Sequence, residues 1–147
     1  MGKKSVGIYI WKGFACLPSQ ARALAGYIVD REPVTKAKLK LEELAKALDS
    51  AIAADIPVIP DLSKVEFSEN GKRILQAIGV SSWKELAKRG MYYSVEVSEA
   101  DIKLSIPNAL AEGGWAFDPA KTITFPSNVE LNKVVQVILD DYATHSR

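Results

Sequence analysis

The first segment of the chain alternates between apolar and more polar residues. Residues 5–11 show the period of two that is typical of a strand with one buried face. The apolar positions are Val6, Ile8 and Ile10. Lys12 and Gly13 then indicate a tight turn, and residues 14–17 a returning strand that Pro18 ends. We therefore expect the chain to begin with a β-hairpin.

Further extended segments are predicted by the same reasoning. Residues 26–30 and 34–39 are each expected to be strands, separated by a Glu-Pro pair. Alternation returns over residues 92–98 and 102–106, which predicts a second hairpin. Residues 123–125 give one more predicted strand before the C-terminal part of the chain.

Two longer segments, residues 41–54 and 128–142, carry an apolar stripe at helical spacing. The stripe positions are Leu41, Leu44, Ala45, Leu48 and Ile52, then Leu131, Val134, Val135, Ile138 and Tyr142. Two shorter helices are predicted over residues 70–78 and 82–90, and a glycine ends each of them. Ser-x-x-Glu patterns predict capping boxes for the second short helix and for the last helix.

A short pattern occurs twice in the chain. Residues 26–30 and 114–118 both have a glycine, an aromatic residue, any residue, a large apolar residue and an aspartate. Each copy leads through an extended segment to a Glu-Leu pair and an amphipathic helix, with a spacing that differs by one residue. The pattern suggests an internal strand-to-helix repeat.

These elements predict an α+β fold in a single domain spanning residues 1–147. We expect a mainly antiparallel sheet of about five or six strands, with the 41–54 and 128–142 helices packed on it. The two short helices are expected at one edge of the sheet. With 48% hydrophobic and 25% charged residues and no long apolar run, the composition argues against membrane-spanning and disordered classes.

Cysteine and the N-terminal segment bear on the cellular compartment. Cys16 is the single cysteine, so the chain can form no internal disulfide and no cysteine-based zinc site. The N-terminal segment faintly resembles a secretory signal, but Lys12 interrupts its apolar run and its pattern alternates as a strand would. We expect a cytoplasmic protein that uses no cofactor.

Charge is distributed unevenly along the sequence although the net charge is +1. Residues 1–50 hold nine Lys/Arg and five Asp/Glu, whereas residues 91–147 hold four and eight. The acidic last third suggests a basic partner, with a simple solvated surface as the alternative interpretation.

The sequence contains few candidate catalytic residues. The single histidine, His145, is the third residue from the end of the sequence, which gives no support to a catalytic triad or a histidine metal site. One alternative is a small enzyme that works through Asp30 and Asp118, which follow the two copies of the repeated pattern. Aspartates in such contexts commonly fix a turn, and we favour that interpretation for both.

A second alternative is a nucleic-acid binder. Residues 72–89 carry five basic side chains around Trp83. The segment lacks the stripe of exposed aromatic residues that would stack on bases, so a solvated surface is the preferred interpretation.

Several short motifs together resemble the CdiI family of immunity proteins from contact-dependent growth inhibition. They are the opening residues 4–9, the element at residues 26–30, the helical residues 44–48, and Phe125-Pro126-Ser127 before the last helix. The resemblance implies a small cytoplasmic bacterial protein that neutralises the C-terminal toxin domain of a cognate CdiA effector, often a nuclease.

The resemblance does not transfer any functional residue, because such interfaces vary from pair to pair. From the charge pattern we predict a toxin-binding surface with one aromatic anchor among acidic residues. The predicted residues are Glu96, Glu99, Asp101, Glu112, Trp115 and Asp118. We expect no metal site, no membrane contact and no direct contact with nucleic acid.

Overall fold

The structure, a computed structural model, describes residues 4–109 and 115–145. The strands are β1 Lys4–Trp11, β2 Phe14–Ala23, β3 Ile28–Lys38, β4 Val58–Ile59, β5 Met91–Val97, β6 Asp101–Ser105, β7 Pro107–Ala109, β8 Trp115–Phe117 and β9 Ile123–Pro126. The helices are α1 Leu41–Ala53, α2 Lys64–Ile78, α3 Trp83–Arg89 and α4 Leu131–Thr144. None of the described helices is long and apolar enough to cross a membrane.

The main sheet has the strand order β3-β2-β1-β5-β6-β9, and every neighbouring pair is antiparallel. The short strand β4 adds a parallel pairing to β2, and β7 and β8 form a separate two-stranded sheet. The predicted α+β class with a mainly antiparallel sheet is therefore confirmed.

The first hairpin turns at Lys12 and Gly13, which both have positive φ, at 47° and 84°. A two-residue turn in which both residues have positive φ has a backbone twist that fits the twist of the flanking strands. The prediction that Pro18 ends β2 is wrong, because a register shift between Pro18 and Ser19 lets the strand continue to Ala23. A bulge of this kind accommodates a residue that has no N–H to donate.

The two segments predicted as separate strands form one long edge strand, β3. It pairs with β2 on both sides of the same register shift, from Phe14 opposite Lys38 to Arg22 opposite Ile28. The Glu-Pro pair thus lies within a strand and does not separate two strands.

Helices α1 and α4 pack against each other on one face of the sheet. Leu44, Leu48 and Ile138 are fully buried there, and burial of a side chain of this size stabilises the fold by roughly 1.5–3 kcal/mol. Both predicted amphipathic helices are therefore confirmed. The predicted cap at Ser127 is wrong, because α4 begins after Glu130 and has no side-chain cap.

Helices α2 and α3 lie on the opposite face, over the side of the sheet that ends in β3. The core of this layer consists of Trp11, Cys16, Ile74, Leu75, Ile78, Val80 and Leu86. Helix α2 is longer than predicted, since it begins with a capping box formed by Ser63 and Glu66. Cys16 is fully buried, and burial raises the pKa of its thiol.

The repeated sequence pattern has only partial structural meaning. The two edge strands β3 and β9 are each followed by a helix of the α1–α4 layer. Residues 28–30, however, belong to β3, whereas residues 115–117 form β8 in the separate sheet. The two copies of the pattern therefore do not occupy equivalent places in the fold.

Candidate functional site

Five aromatic side chains gather on the sheet face that carries α2 and α3. We call this set the aromatic face, and it consists of Tyr9, Trp83, Tyr92, Trp115 and Phe117. The Tyr9 and Tyr92 rings are 4.7 Å apart between centroids, and Trp83 lies 5.8 Å from Tyr9. Trp115 and Phe117 lie 5.8 Å and 5.9 Å from Tyr92. These are the tilted contacts that aromatic pairs prefer.

Strand register places the two central tyrosines. Tyr9 is directly opposite Tyr92, and both point away from the α1–α4 core because their strand neighbours are buried in it. Gly7 provides the space for Tyr92: a Cβ at Gly7 would lie 2.8 Å from the Tyr92 ring. A larger residue at position 7 would displace that ring.

Trp83 is positioned by helix–helix packing. It is the first residue of α3, whose N-cap Ser82 accepts a hydrogen bond from the N–H of Glu85 at 3.1 Å. Its indole lies over Gly71 of α2, where a Cβ would be 3.3 Å from Nε1. Trp83 remains 41% exposed and Phe117 42% exposed, so the aromatic face is open to a partner.

A groove of about 360 Å³ extends from Tyr9 and Trp83 towards α2. We call it the Asp30 groove, and its lining includes Tyr9, Ile28, Asp30, Phe67, Asn70 and Trp83. Ile28 and Phe67 are 41% and 48% exposed, which makes the rim apolar. The Asn70 side chain donates to the Asp30 carbonyl at 2.6 Å and joins α2 to β3.

Asp30 is the charged group of this groove. Burial raises the pKa of its carboxyl, and polar contacts from Gln20 and the Tyr9 hydroxyl partly offset that rise. Burial followed by the Asp30 charge raises the pKa of Tyr9 and of Tyr92. Within residues 4–109 and 115–145, no lysine or arginine forms an ion pair with Asp30.

Three of the predicted acidic residues lie on the β5–β6 hairpin. Glu96 is on β5, in register with Ser5 and Lys103 on the neighbouring strands. Asp101 is the first residue of β6. Its carbonyl accepts a hydrogen bond from the Ser98 N–H, and its own N–H donates to the Ser98 hydroxyl. Glu99 lies in the turn between the two strands. Glu96 and Tyr92 point to the same face of the sheet and lie four residues apart, about 13 Å along the strand.

The other predicted residues are near the aromatic face or outside the described chain. Trp115 packs against both Tyr9 and Tyr92 within the chain. Asp118 is exposed and directly follows Phe117. Glu112 lies outside the described residues.

The two aspartates of the enzyme alternative occupy different environments. Oδ1 of Asp118 accepts a hydrogen bond from the N–H of Ala120 at 2.9 Å and caps a short 3-10 turn, so the turn interpretation is confirmed there. For Asp30 that interpretation is wrong, since Asp30 lies within β3 and lines a groove that Asp118 does not line. Each carboxylate has its own polar partners, which are Ala120 for Asp118 and Gln20 and Tyr9 for Asp30.

The basic segment of the nucleic-acid alternative is partly neutralised by its own helices. Lys72 pairs with Glu69 at 3.7 Å, and Arg89 pairs with Glu85 at 2.9 Å. Trp83 packs on Gly71 and Tyr9 and does not form an aromatic stripe along the basic side chains.

Sequence reasoning missed most of the aromatic face. Tyr9 and Tyr92 occupy the polar phase of their strands, and large aromatic residues in that phase are the signal that could have identified them. Phe117 was visible only as part of a repeated pattern. The convergence of these residues with Trp83 depends on sheet register and helix packing.

Comparison with known proteins shows the fold. The chain aligns with a protein of unknown function from Neisseria meningitidis at a TM-score of 0.68 and 12% identity, over 99% of this chain and 96% of that chain. It also aligns with a chain of the CdiA-CT/CdiI toxin and immunity complex from Yersinia pseudotuberculosis, at a TM-score of 0.61 and 12% identity, over 95% of each chain. No protein-family model and no curated protein sequence matches the chain. The similarity to these two structures is therefore one of fold.

Proposed function

We propose that this chain is a CdiI-type immunity protein of contact-dependent growth inhibition. It binds the C-terminal toxin domain of a cognate CdiA effector in the bacterial cytoplasm and neutralises it, without catalysis of its own. The observation that carries the proposal is an open aromatic face on a fold that also occurs in a toxin and immunity complex. A fold alone does not assign function, so the proposal depends on this surface.

The aromatic face has the composition of an interface centre. Tyrosine and tryptophan are enriched among the residues that contribute most to protein–protein affinity, because they bury a large area at a small cost in side-chain entropy. Trp83 and Phe117 are both more than 40% exposed, and they flank the half-buried Tyr9 and Tyr92. A partner that covers this surface would bury all four rings.

The acidic residues suggest a basic toxin. Glu96, Glu99, Asp101 and Asp118 lie on the β5–β6 hairpin and beside Phe117, and Glu112 completes the predicted set. A nuclease presents a basic surface to its substrate, and an acidic inhibitor is steered onto that surface by long-range attraction. The bound inhibitor would then exclude nucleic acid from the toxin.

Growth rescue tests the function directly. The toxin domain encoded immediately upstream in the source genome is induced with and without this protein, and the pair is then purified together. We expect restored growth and a stoichiometric complex. An active toxin that still kills the cells and does not co-purify with the chain would refute the proposal.

Charge reversal tests the acidic part of the surface. We expect the combined replacement of Glu96, Glu99 and Asp101 by lysine to slow association with the toxin. The association rate should also depend less on salt concentration than it does for the wild-type chain. The control reverses three exposed charges on the α1–α4 layer, at Glu42, Asp49 and Asp140, so that the net charge changes equally. Equal association rates for the two variants would exclude the hairpin from the interface.

A further inference from the structure

We propose that the Asp30 groove is the binding site for an arginine side chain of the toxin. This inference rests on the proposed function and adds the chemistry of one contact to it. The groove is lined by the aromatic rings of Tyr9 and Trp83 and by the exposed apolar side chain of Phe67. The partly buried carboxylate of Asp30 belongs to the same lining.

The aromatic walls favour a cation. Tyr9 and Trp83 lie 5.8 Å apart at an interplanar angle of 51°, and both line the groove, so a cation that enters it meets aromatic surface from each. A cation within about 6 Å of a tyrosine or tryptophan centroid is attracted by the negative face of the ring. Trp83 gives the stronger attraction and is also the more exposed of the two.

The carboxylate supplies the matching charge. Asp30 contributes the only charged side chain among the described residues that line the groove. Gln20 and Tyr9 satisfy part of its hydrogen-bonding capacity, but neither carries a positive charge. A partly buried carboxylate without a cation is costly, and a partner cation that enters the groove offsets that cost.

Shape selects arginine over lysine. The guanidinium is planar, stacks on aromatic rings and donates through a fork that fits a carboxylate, whereas an ammonium is a strongly hydrated point charge. The groove is open on its apolar side, where Ile28 and Phe67 can cover the methylene stem of the incoming side chain. Its volume of about 360 Å³ exceeds the size of one such side chain and leaves room for the neighbouring backbone.

The test is the toxin affinity of Asp30→Asn, which keeps the shape and most polar contacts of the carboxylate but removes its charge. We expect the dissociation constant to rise at least about 30-fold, since loss of one partner of a desolvated charge pair typically has this effect or a larger one. Trp83→Leu, which keeps apolar contact with Gly71, should raise it by about 2-fold to 30-fold. Asp49→Asn on exposed α1 surface is the matched control and should change it by less than about threefold.

A second measurement does not need the toxin. The indole N–H resonance of Trp83 is followed by NMR during titration with N-acetyl-arginine amide and with its neutral analogue N-acetyl-citrulline amide. A saturable shift with the arginine derivative, absent with citrulline and absent in Asp30→Asn, would support the inference. Equal shifts with both compounds would overturn it.

The outcomes separate the two proposals. If the wild-type chain binds the toxin and Asp30→Asn binds equally well, the arginine site is wrong and the immunity function stands. If the wild-type chain does not bind the active toxin at all, the proposed function is wrong and the toxin-arginine assignment falls with it.

Discussion

Replacement of Tyr93 by phenylalanine would isolate one hydrogen bond that joins the sheet to α4. Tyr93 is fully buried, and its hydroxyl donates to Oδ2 of Asp141 at 2.6 Å. A hydrogen bond to a charged acceptor contributes roughly 1.5–3 kcal/mol to stability. Because the Asp141 side chain is 22% exposed and also contacts His145, it keeps other partners when the hydroxyl is removed. We therefore expect the free energy of unfolding to fall by about 1.5–2 kcal/mol.

The same residue gives a signature at alkaline pH. Burial, and then the hydrogen bond and charge of Asp141, raise the pKa of Tyr93 well above its ordinary value of about 10. Above about pH 10 the unfolded chain loses this proton while the folded chain keeps it, so the folded state binds more protons and stability falls as pH rises. The slope contributed by one such tyrosine is about 1.4 kcal/mol per pH unit.

Urea unfolding followed by circular dichroism measures both effects. The wild-type chain, Tyr93→Phe and Tyr142→Phe are compared at pH 7 and at several values above about pH 10. Tyr142 is the control because it lies on the same helix, and its charge makes only the smallest of the contributions that raise the pKa of Tyr93. We expect Tyr93→Phe to be less stable at pH 7 and to lose stability less steeply in alkali. A change below about 0.5 kcal/mol at pH 7 together with an unchanged alkaline slope would refute the reasoning.

Four further substitutions test local features of the fold. Gly7→Ala should lower stability by about 1–2 kcal/mol and change the near-ultraviolet circular dichroism, because the added Cβ would meet the Tyr92 ring at 2.8 Å. Gly79→Ala should cost about 1 kcal/mol in urea unfolding, since this residue ends α2 at a φ of 92°. Ser63→Ala should cost about 1 kcal/mol by removing the capping box of α2, whereas Ser127→Ala should change stability by less than about 0.5 kcal/mol. Equal effects of the two serine substitutions would contradict the observed helix starts.

Local periodicity predicted the elements whose pattern is complete within a short window. The alternation of Val6, Ile8 and Ile10 identified β1, and the stripe from Leu41 to Ile52 identified α1. These residues are apolar because they face the core. A strand or a helix turns a side chain towards the core again after a few residues, so the pattern is visible in a short segment. The fold class followed from the order of such elements.

Long-range pairing corrected other predictions. Pro18 ends no strand because β2 continues past it with a register shift against β3, which one segment alone cannot reveal. The first two turns of α2 also escaped prediction, because Val65 and Phe67 there are exposed and form no apolar stripe. A capping box at Ser63 starts the helix instead.

By itself, the sequence determined the hairpins, the two core helices and the acidic character of the last third, because each depends on neighbours within a few positions. Tertiary structure alone decided the aromatic face and the Asp30 groove. The aromatic residues that meet there are up to about a hundred positions apart in the chain: Tyr9, Trp83, Tyr92 and Phe117. Strand register places Tyr9 opposite Tyr92, Gly7 leaves space for the Tyr92 ring, and Trp83 packs on Gly71 of α2. The physical reason is that side-chain chemistry is encoded locally, whereas proximity between distant residues is created only when the sheet and its helices pack.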